Sequence, residues 1–266
     1  MRIEATKFCE PLASRSQEDV LRAIINMYMR LRADGYIVTQ LHSDVPIKVA
    51  WEVVHVPHEG SAPEAQRVIG ELVWITARSR PDFAFTVSKL ASLITKSPMQ
   101  VVQLVKPVWY YLAATMDQGL IFQNAKGERQ LNVYTDASYS DVSFGCHLIL
   151  WGSPLLLWKA GKQPIQGAST AESELVEVLE GALAGDAVKV VLEKALDVCA
   201  RSFSFTDSSA ALSIIAGDTG SWRTRHVRKR AFILLSKVLT GEWMIRHLPG
   251  ADMLADLGTK VSSVQK

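Results

Sequence analysis

The order of predicted strands and helices in the C-terminal half of the chain is the feature that most restricts the fold. The segment LNVYTD, residues 131–136, alternates apolar and polar side chains with the period of two that is typical of a strand. Two more strand-like segments, SFGCHLIL and PLLLWKAG, follow on short connections, which indicates antiparallel pairing. Next come a long helix with the apolar stripe Leu175, Leu179 and Leu183, a strand SFSFTD, two helices, a strand EWMIRHL and a helix from about Ala251. The order β-β-β-α-β-α-α-β-α predicts an α/β fold, a mixed sheet flanked by helices.

Composition places the chain among globular intracellular proteins. Of its 266 residues, 48% are hydrophobic and 21% are charged, so a sizeable core is expected, and the net charge of +2 neither requires nor excludes a polyanionic partner. The three cysteines, Cys9, Cys146 and Cys199, are far apart, which argues against a disulfide framework or structural zinc and suits a reducing compartment. Without an apolar run of signal-peptide or membrane-spanning type, we expect a cytoplasmic or nuclear location and no membrane partner.

Four acidic residues occupy comparable positions in the predicted elements. Asp136 and Asp207 each end a strand, and neighbouring strands of one sheet would bring the two side chains together. Glu174 lies in the first turns of the long helix and Asp256 in the last helix, while Glu172 is the alternative to Glu174. Taken singly, each could be an ordinary turn or helix-start acid. If they converge, the four carboxylates repel one another unless a cation neutralises them.

The chemistry of these side chains indicates which cation would suit them. No cluster of Cys or His accompanies the acids, so the ligands would all be oxygens, which favour Mg²⁺ or Mn²⁺ over Zn²⁺. Two such ions about 4 Å apart can activate a water molecule and stabilise the leaving oxygen of a phosphodiester. The sequence therefore predicts a site for cutting nucleic acid.

Six short motifs follow one another along the second half of the chain: YTDAS, LLLWKAGKQ, STAESEL, FTDSSAAL, RTRHV and LADLGTK. In their order and spacing they resemble the ribonuclease H domain of copia-type LTR retrotransposon Pol polyproteins. Upstream, GELVWITARSRPDFAFTVSKLASLITKSP and VWYYLAATMDQGLIF resemble the segment that this family carries between its reverse transcriptase and its ribonuclease H. The resemblance covers roughly residues 64–262.

This resemblance implies a ribonuclease H-like mixed five-stranded sheet preceded by a mostly helical segment. It also implies a metal-dependent endoribonuclease whose partner is an RNA–DNA hybrid, of which it hydrolyses the RNA strand. Two Mg²⁺ or Mn²⁺ ions would be held by the catalytic carboxylates Asp136, Glu174, Asp207 and Asp256. His226 would be a catalytic proton shuttle during product release, with an ordinary helix residue as the alternative. The oligomeric state stays open.

The basic segment WRTRHVRKR, residues 222–230, contains no acid. Such a run is either a solvated helix face or, beside an acidic metal site, the surface that grips phosphates. The candidate nucleic-acid-binding residues in this segment are Arg223, Arg225, His226, Arg228, Lys229 and Arg230. The expected additional backbone contacts come from Lys159, Lys162 and Gln163. The candidates for contacting the 2′-hydroxyl that distinguishes RNA from DNA are Ser138 and Ser208.

The first part of the chain matches the family less well. MRLRADGYIVTQLHSD resembles the integrase core leading to its second catalytic aspartate, here Asp44, but the glycine and glutamate expected soon after are replaced by VPIKVAWEVV. An unrelated helix–strand segment is the alternative. Without an Asp-Asp pair or further integrase acids, neither polymerase nor integrase activity is expected. The predicted organisation is an integrase-core remnant at 1–45, an irregular linker at 46–63, a helical connection segment at 64–130 and a ribonuclease H-like domain at 131–266.

The drift in this N-terminal part leaves a second hypothesis for the function of the whole chain. A retroelement copy that has lost its polymerase motif could also have lost catalysis while keeping its acidic motifs. Such a remnant would at most bind nucleic acid through the basic segment. Retention of all four acids favours the nuclease hypothesis over this alternative.

Overall fold

A five-stranded mixed sheet forms the centre of the structure, a computed structural model that describes residues 62–120, 122, 130–217 and 227–259. The strands are β1 (Gln130–Ser138), β2 (Phe144–Trp151), β3 (Leu155–Lys162), β4 (Arg201–Thr206) and β5 (Trp243–His247). Their order in the sheet is β3-β2-β1-β4-β5. β1, β2 and β3 pair antiparallel, and β4 and β5 add in parallel. The predicted α/β fold class is confirmed. The predictions for residues 1–61, including Asp44, and for Arg223, Arg225 and His226 lie outside the described residues.

Strand β1 extends two residues beyond the end that its alternating pattern predicts. Asp136 is therefore not the last residue of the strand but pairs with Cys146 on β2, and pairing continues to Ser138 opposite Phe144. The Ser138 hydroxyl lies 3.3 Å from the Phe144 amide nitrogen and 3.4 Å from its carbonyl oxygen. This local bonding holds the hairpin together past the point where the apolar pattern stops.

Three helices cover one face of the sheet: α4 (Thr170–Leu196), α5 (Ser209–Ala216) and α6 (Arg228–Leu239). Leu175, Leu179 and Ala182 of α4 are buried against the strands, whereas Leu183, expected in the same stripe, is 48% exposed. Along α4 the helical period places Ala182 and later small residues on the face that packs against the strands. Leu183 therefore points to solvent. At Gly181 a Cβ atom would lie 2.7 Å from Thr135 Cγ2, so a side chain there would prevent the helix from packing this closely.

The opposite face of the sheet is covered near its centre by the chain after β5. Instead of the helix expected from about Ala251, this segment forms two 3₁₀ turns, Gly250–Asp252 and Leu254–Gly258. Met253 and Ala255 are buried against Cys146 of β2, with Tyr134 and Phe205 beside them. The extended backbone of Met253 interrupts the helix. The short turns place Asp256 directly beside the sheet.

The predicted helical segment consists of α1 (Ala62–Arg78), a 3₁₀ turn at Pro81–Phe83, α2 (Ala84–Leu93) and α3 (Pro98–Ala114). It packs on the sheet: α2 contacts β3, and the Trp158 indole donates a hydrogen bond to the Thr76 carbonyl at 2.7 Å. The Phe85 and Phe144 rings meet edge to face with centroids 5.7 Å apart. Among the described helices, none combines the length and apolarity needed to span a membrane.

Candidate active site

Three aspartates from separate parts of the chain meet at one edge of the sheet. Asp136 lies on β1, Asp207 directly follows β4, and Asp256 lies in the 3₁₀ turn Leu254–Gly258. One carboxylate oxygen from each lies within 4.8 Å of the others. β1 and β4 are parallel neighbours with Tyr134 opposite Phe205, so their register brings Asp136 level with Asp207. The sheet itself therefore produces the convergence of the first two acids.

Glu174 approaches the same acids from the second turn of α4. Its side chain is 4% exposed, and no described residue forms a hydrogen bond with its Oε2. Burial, together with the charges of Asp136 and Asp207, raises the pKa of Glu174 to about 9. A hydrogen bond to the backbone of Ala137 acts in the opposite direction. Glu174 is thus a carboxyl group that needs either a proton or a nearby cation at neutral pH.

Glu172, the alternative to Glu174, contributes to the start of the helix. Ser169 is the N-cap of α4, and its hydroxyl accepts a hydrogen bond from the Glu172 amide at 3.3 Å. The Glu172 carboxylate accepts one from the Ala168 amide at 2.7 Å. The first bond satisfies a backbone donor that a helix start leaves unpaired, and the second ties the Glu172 side chain to the residue before the N-cap. The geometry favours Glu174 over Glu172 as the acid that faces Asp136.

Two neighbours of the acids were missed by sequence reasoning. The Thr259 hydroxyl donates a hydrogen bond to Asp136 Oδ2, and His247 Nε2 lies 3.0 Å from the carbonyl oxygen of Asp207. Thr259 belongs to the motif LADLGTK, so the sequence carries a signal for it, although the threonine in that motif does not by itself indicate a contact with Asp136. His247 carried no comparable signal, because it is placed by the pairing of β4 with β5.

The side chains of the cluster fit a divalent cation. Their donor set is entirely carboxylate oxygen, the type that Mg²⁺ and Mn²⁺ prefer. In addition, Glu174 Oε2 is buried without a described hydrogen-bond partner, which is costly unless a ligand compensates for it. A cation between these groups would relieve both the mutual repulsion and the desolvation of Glu174.

The described basic candidates lie on the surface. Arg228 and Lys229 are exposed and Arg230 is half-buried in the first turn of α6. These basic side chains lie at the positive end of the helix dipole, so a bound anion would be stabilised there. Lys162 is exposed at the end of β3. Lys159 is exposed as well, with its ammonium 3.6 Å from Glu180.

The polar candidates are more constrained than their sequence context suggests. Gln163 is 4% exposed, and its amide nitrogen donates to Ser173 O at 2.8 Å and lies 3.2 Å from Glu177 Oε2. It therefore holds β3 against α4 and does not present a surface for nucleic acid. Ser138 closes the β1–β2 hairpin, while Ser208 caps α5 by accepting a hydrogen bond from Ala211 N at 3.1 Å. Both serines are half-buried beside the acids.

The strand order β3-β2-β1-β4-β5 and the convergence of the three aspartates agree with the fold that the resemblance to ribonuclease H domains implies. Two curated relatives are retrovirus-related Pol polyproteins from Arabidopsis thaliana, of transposon RE1 (23% identical) and transposon RE2 (24% identical), each over 203 residues. Each alignment covers 74% of this chain but 14% of the relative, so the chain spans about a seventh of their length. The resemblance inferred from the six motifs is confirmed.

One solved structure with similarity to this chain is RNase H1 from the halophilic archaeon Halobacterium salinarum. It is 20% identical, has a TM-score of 0.34, and the match covers 47% of this chain and 90% of that protein. No protein-family model matches the chain.

Proposed function

We propose that this chain is a metal-dependent endoribonuclease that hydrolyses the RNA strand of RNA–DNA hybrids, as part of a retrotransposon-derived Pol polyprotein. The observation that carries the proposal is the approach of Asp136, Asp207 and Asp256 oxygens to within 4.8 Å, with the buried Glu174 beside them. The transposon Pol relatives support the polyprotein context.

The four carboxylates are the proposed ligands of two Mg²⁺ or Mn²⁺ ions. When bound, such ions activate a water molecule and stabilise the leaving oxygen of the scissile phosphodiester. The protein's contribution is to hold the carboxylates in place. Asp136 and Asp207 are fixed by the β1–β4 register, Asp256 by its 3₁₀ turn and Glu174 by the capped start of α4. Burial of Glu174 makes its ionised form depend on a nearby cation.

The proposed hybrid-binding surface is the basic segment together with the two lysines of β3. Arg228, Lys229 and Arg230 would contact phosphates from the first turn of α6, and Arg223, Arg225 and the proton-shuttling His226 would act from the preceding residues. Lys159 and Lys162 would add contacts from β3. Of the two serines, Ser208 is the better candidate for the RNA 2′-hydroxyl, because its capping bond uses an acceptor lone pair and leaves the hydroxyl proton available.

We propose the same domain organisation that the sequence predicts. Residues 64–130 would be the connection segment of the Pol polyprotein, 131–266 its ribonuclease H-like domain and 1–45 an integrase-core remnant joined by the linker 46–63. The contacts of α2 with β3 support grouping the connection segment with the nuclease fold. The alignment with the transposon relative agrees with this grouping, because it spans 203 residues and the proposed ribonuclease H-like domain alone is shorter.

The test is cleavage of an RNA–DNA hybrid labelled on the RNA strand, in the presence of Mg²⁺. Asp136→Asn and Asp207→Asn should each abolish cutting, because each removes a charged ligand from the cluster. The matched control is Asp197→Asn, the same chemical change at the exposed C-terminal end of α4. Asp197 has a left-handed backbone conformation (φ 51°) that asparagine also adopts, so activity should be retained.

Undiminished cutting by both aspartate variants would contradict the assignment of the site. A different outcome, hybrid binding that weakens steeply with salt and no cleavage under Mg²⁺ or Mn²⁺, would support the alternative of a non-catalytic remnant.

A further inference from the structure

Thr259 lies where the Asp256 turn meets the sheet. It directly follows the 3₁₀ turn Leu254–Gly258, and its side chain is 3% exposed. Its hydroxyl donates a hydrogen bond to Asp136 Oδ2, and the same oxygen lies 3.3 Å from the Asp256 carbonyl. Its amide also donates to the Asp256 carbonyl, at 3.2 Å. One buried threonine thus contacts two members of the acidic cluster that are 120 residues apart in the sequence.

The neighbouring residue fixes the turn at the same place. A Cβ atom at Gly258 would overlap the Cys146 side chain, so the turn approaches β2 as closely as glycine permits. Cys146 is the cross-strand partner of Asp136. Gly258 and Thr259 therefore pack against the cross-strand pair Asp136 and Cys146. This packing brings the Thr259 hydroxyl into contact with Asp136.

A hydroxyl in this position can orient a carboxylate. It fixes the side-chain orientation of Asp136 while using one of the roughly four lone-pair sites that a carboxylate offers. Partners that orient metal-binding side chains in this manner typically change metal affinity by about 10- to 100-fold when they are removed.

We propose that Thr259 is a positioning residue of the cation site: through its hydroxyl it holds Asp136 in register with Asp256, so that both can bind the same divalent ion. This inference rests on the proposed function, because it presumes that the acidic cluster binds a cation. It adds a residue outside the four carboxylates, and it gives the threonine of the LADLGTK motif a chemical role.

The experiment is a titration of Mn²⁺ into the full chain, followed by calorimetry, with no nucleic acid present. Thr259→Val, which keeps the shape and removes the hydroxyl, should weaken Mn²⁺ binding about tenfold. Thr259→Ser should restore most of the affinity, because the donor returns. The control is Thr76→Val, since Thr76 is also buried (5% exposed) but its hydroxyl bonds to the Val73 carbonyl within α1.

A second readout separates positioning from a general loss of structure. The Mg²⁺ concentration that half-saturates hybrid cleavage should rise about tenfold in Thr259→Val, while the rate at saturating Mg²⁺ and the far-UV circular dichroism stay close to those of the parent protein. If Thr259→Val binds Mn²⁺ as tightly as the parent protein, or loses activity equally at every Mg²⁺ concentration, the inference is overturned. If the parent protein itself binds no Mn²⁺, the proposed function fails.

Discussion

Two buried glutamates one turn apart on α4 illustrate the difference between a structural polar cluster and a ligand site. Glu177 is 3% exposed, and both of its carboxylate oxygens have partners: His147 Nδ1 at 2.8 Å and the Gln163 amide at 3.2 Å. Glu174 is 4% exposed, yet its Oε2 has no described hydrogen-bond partner and its other neighbours include acids. Burial alone is the same for the two residues. What distinguishes them is whether the protein supplies the compensating group.

The strand pairing also separates the strand residues of the two clusters. Thr135 and its cross-strand partner His147 face α4, while the next pair along the ladder, Asp136 and Cys146, points to the opposite face. The period of two along a strand therefore separates His147 of the buried His–Glu pair from Asp136 of the carboxylate cluster. The structural cluster holds α4 on the sheet, and the carboxylate cluster is the proposed cation site.

Of the three glutamates Glu172, Glu174 and Glu177, replacement of Glu174 should have the largest effect on activity. Glu174→Gln keeps the size of the side chain but removes a charged ligand, so hybrid cleavage in Mg²⁺ should fall by more than about 100-fold, beyond the range expected for an orienting partner. Single-turnover cleavage assays measure this directly. Wild-type cleavage by the variant would mean that Glu174 is a buried structural residue like Glu177.

The same variant should change how stability depends on pH. The pKa of Glu174 is raised to about 9 in the folded protein, above its value in the unfolded chain, so the folded state binds more protons between about pH 5 and 9. The free energy of unfolding of the metal-free protein should therefore fall as pH rises through this window. Glu174→Gln should flatten the slope, and Mg²⁺ should reduce it in the parent protein. An equal slope in all three samples would contradict the environment assigned to Glu174.

Removal of Glu177 should instead affect stability. Glu177→Ala leaves His147 and the Gln163 amide without their partner in the interior, and breaking a buried pair in this way costs about 3–5 kcal/mol of unfolding free energy. Urea unfolding gives the value. The double variant His147→Leu, Glu177→Met should recover much of the loss, since apolar groups can replace both partners. A variant that loses Mn²⁺ affinity but not stability would show that Glu177 belongs to the cation site.

Glu172 should give the smallest effect of the three glutamates. Glu172→Ala removes the carboxylate that accepts from the Ala168 amide and should reduce stability by about 1 kcal/mol, as loss of a helix cap does. The Mg²⁺ dependence of cleavage should be unchanged. A loss of cleavage as large as that of Glu174→Gln would reverse the roles given to the two glutamates.

Strand periodicity and the order of elements were enough to predict the mixed sheet, because both are encoded locally in runs such as LNVYTD and SFSFTD. They also suggested that Asp136 and Asp207 would converge, since parallel neighbours bring equivalent ends to one edge. The contact of Thr259 with Asp136 could not be predicted, because the two residues are 123 positions apart in sequence. Their contact depends on how the 3₁₀ turn before Thr259 packs against the sheet. Similarly, the burial of Gln163 depends on the approach of α4 and not on the polar composition of its own segment.

The most direct test of the central claim is a crystal of the full chain soaked in Mn²⁺, with anomalous scattering used to locate the ions. We predict manganese at the sheet edge, coordinated by Asp136 and Asp207 and within reach of Glu174 and Asp256, and no manganese beside Glu177. Anomalous density elsewhere in the molecule, with the four carboxylates separated from one another and no ion between them, would contradict the account.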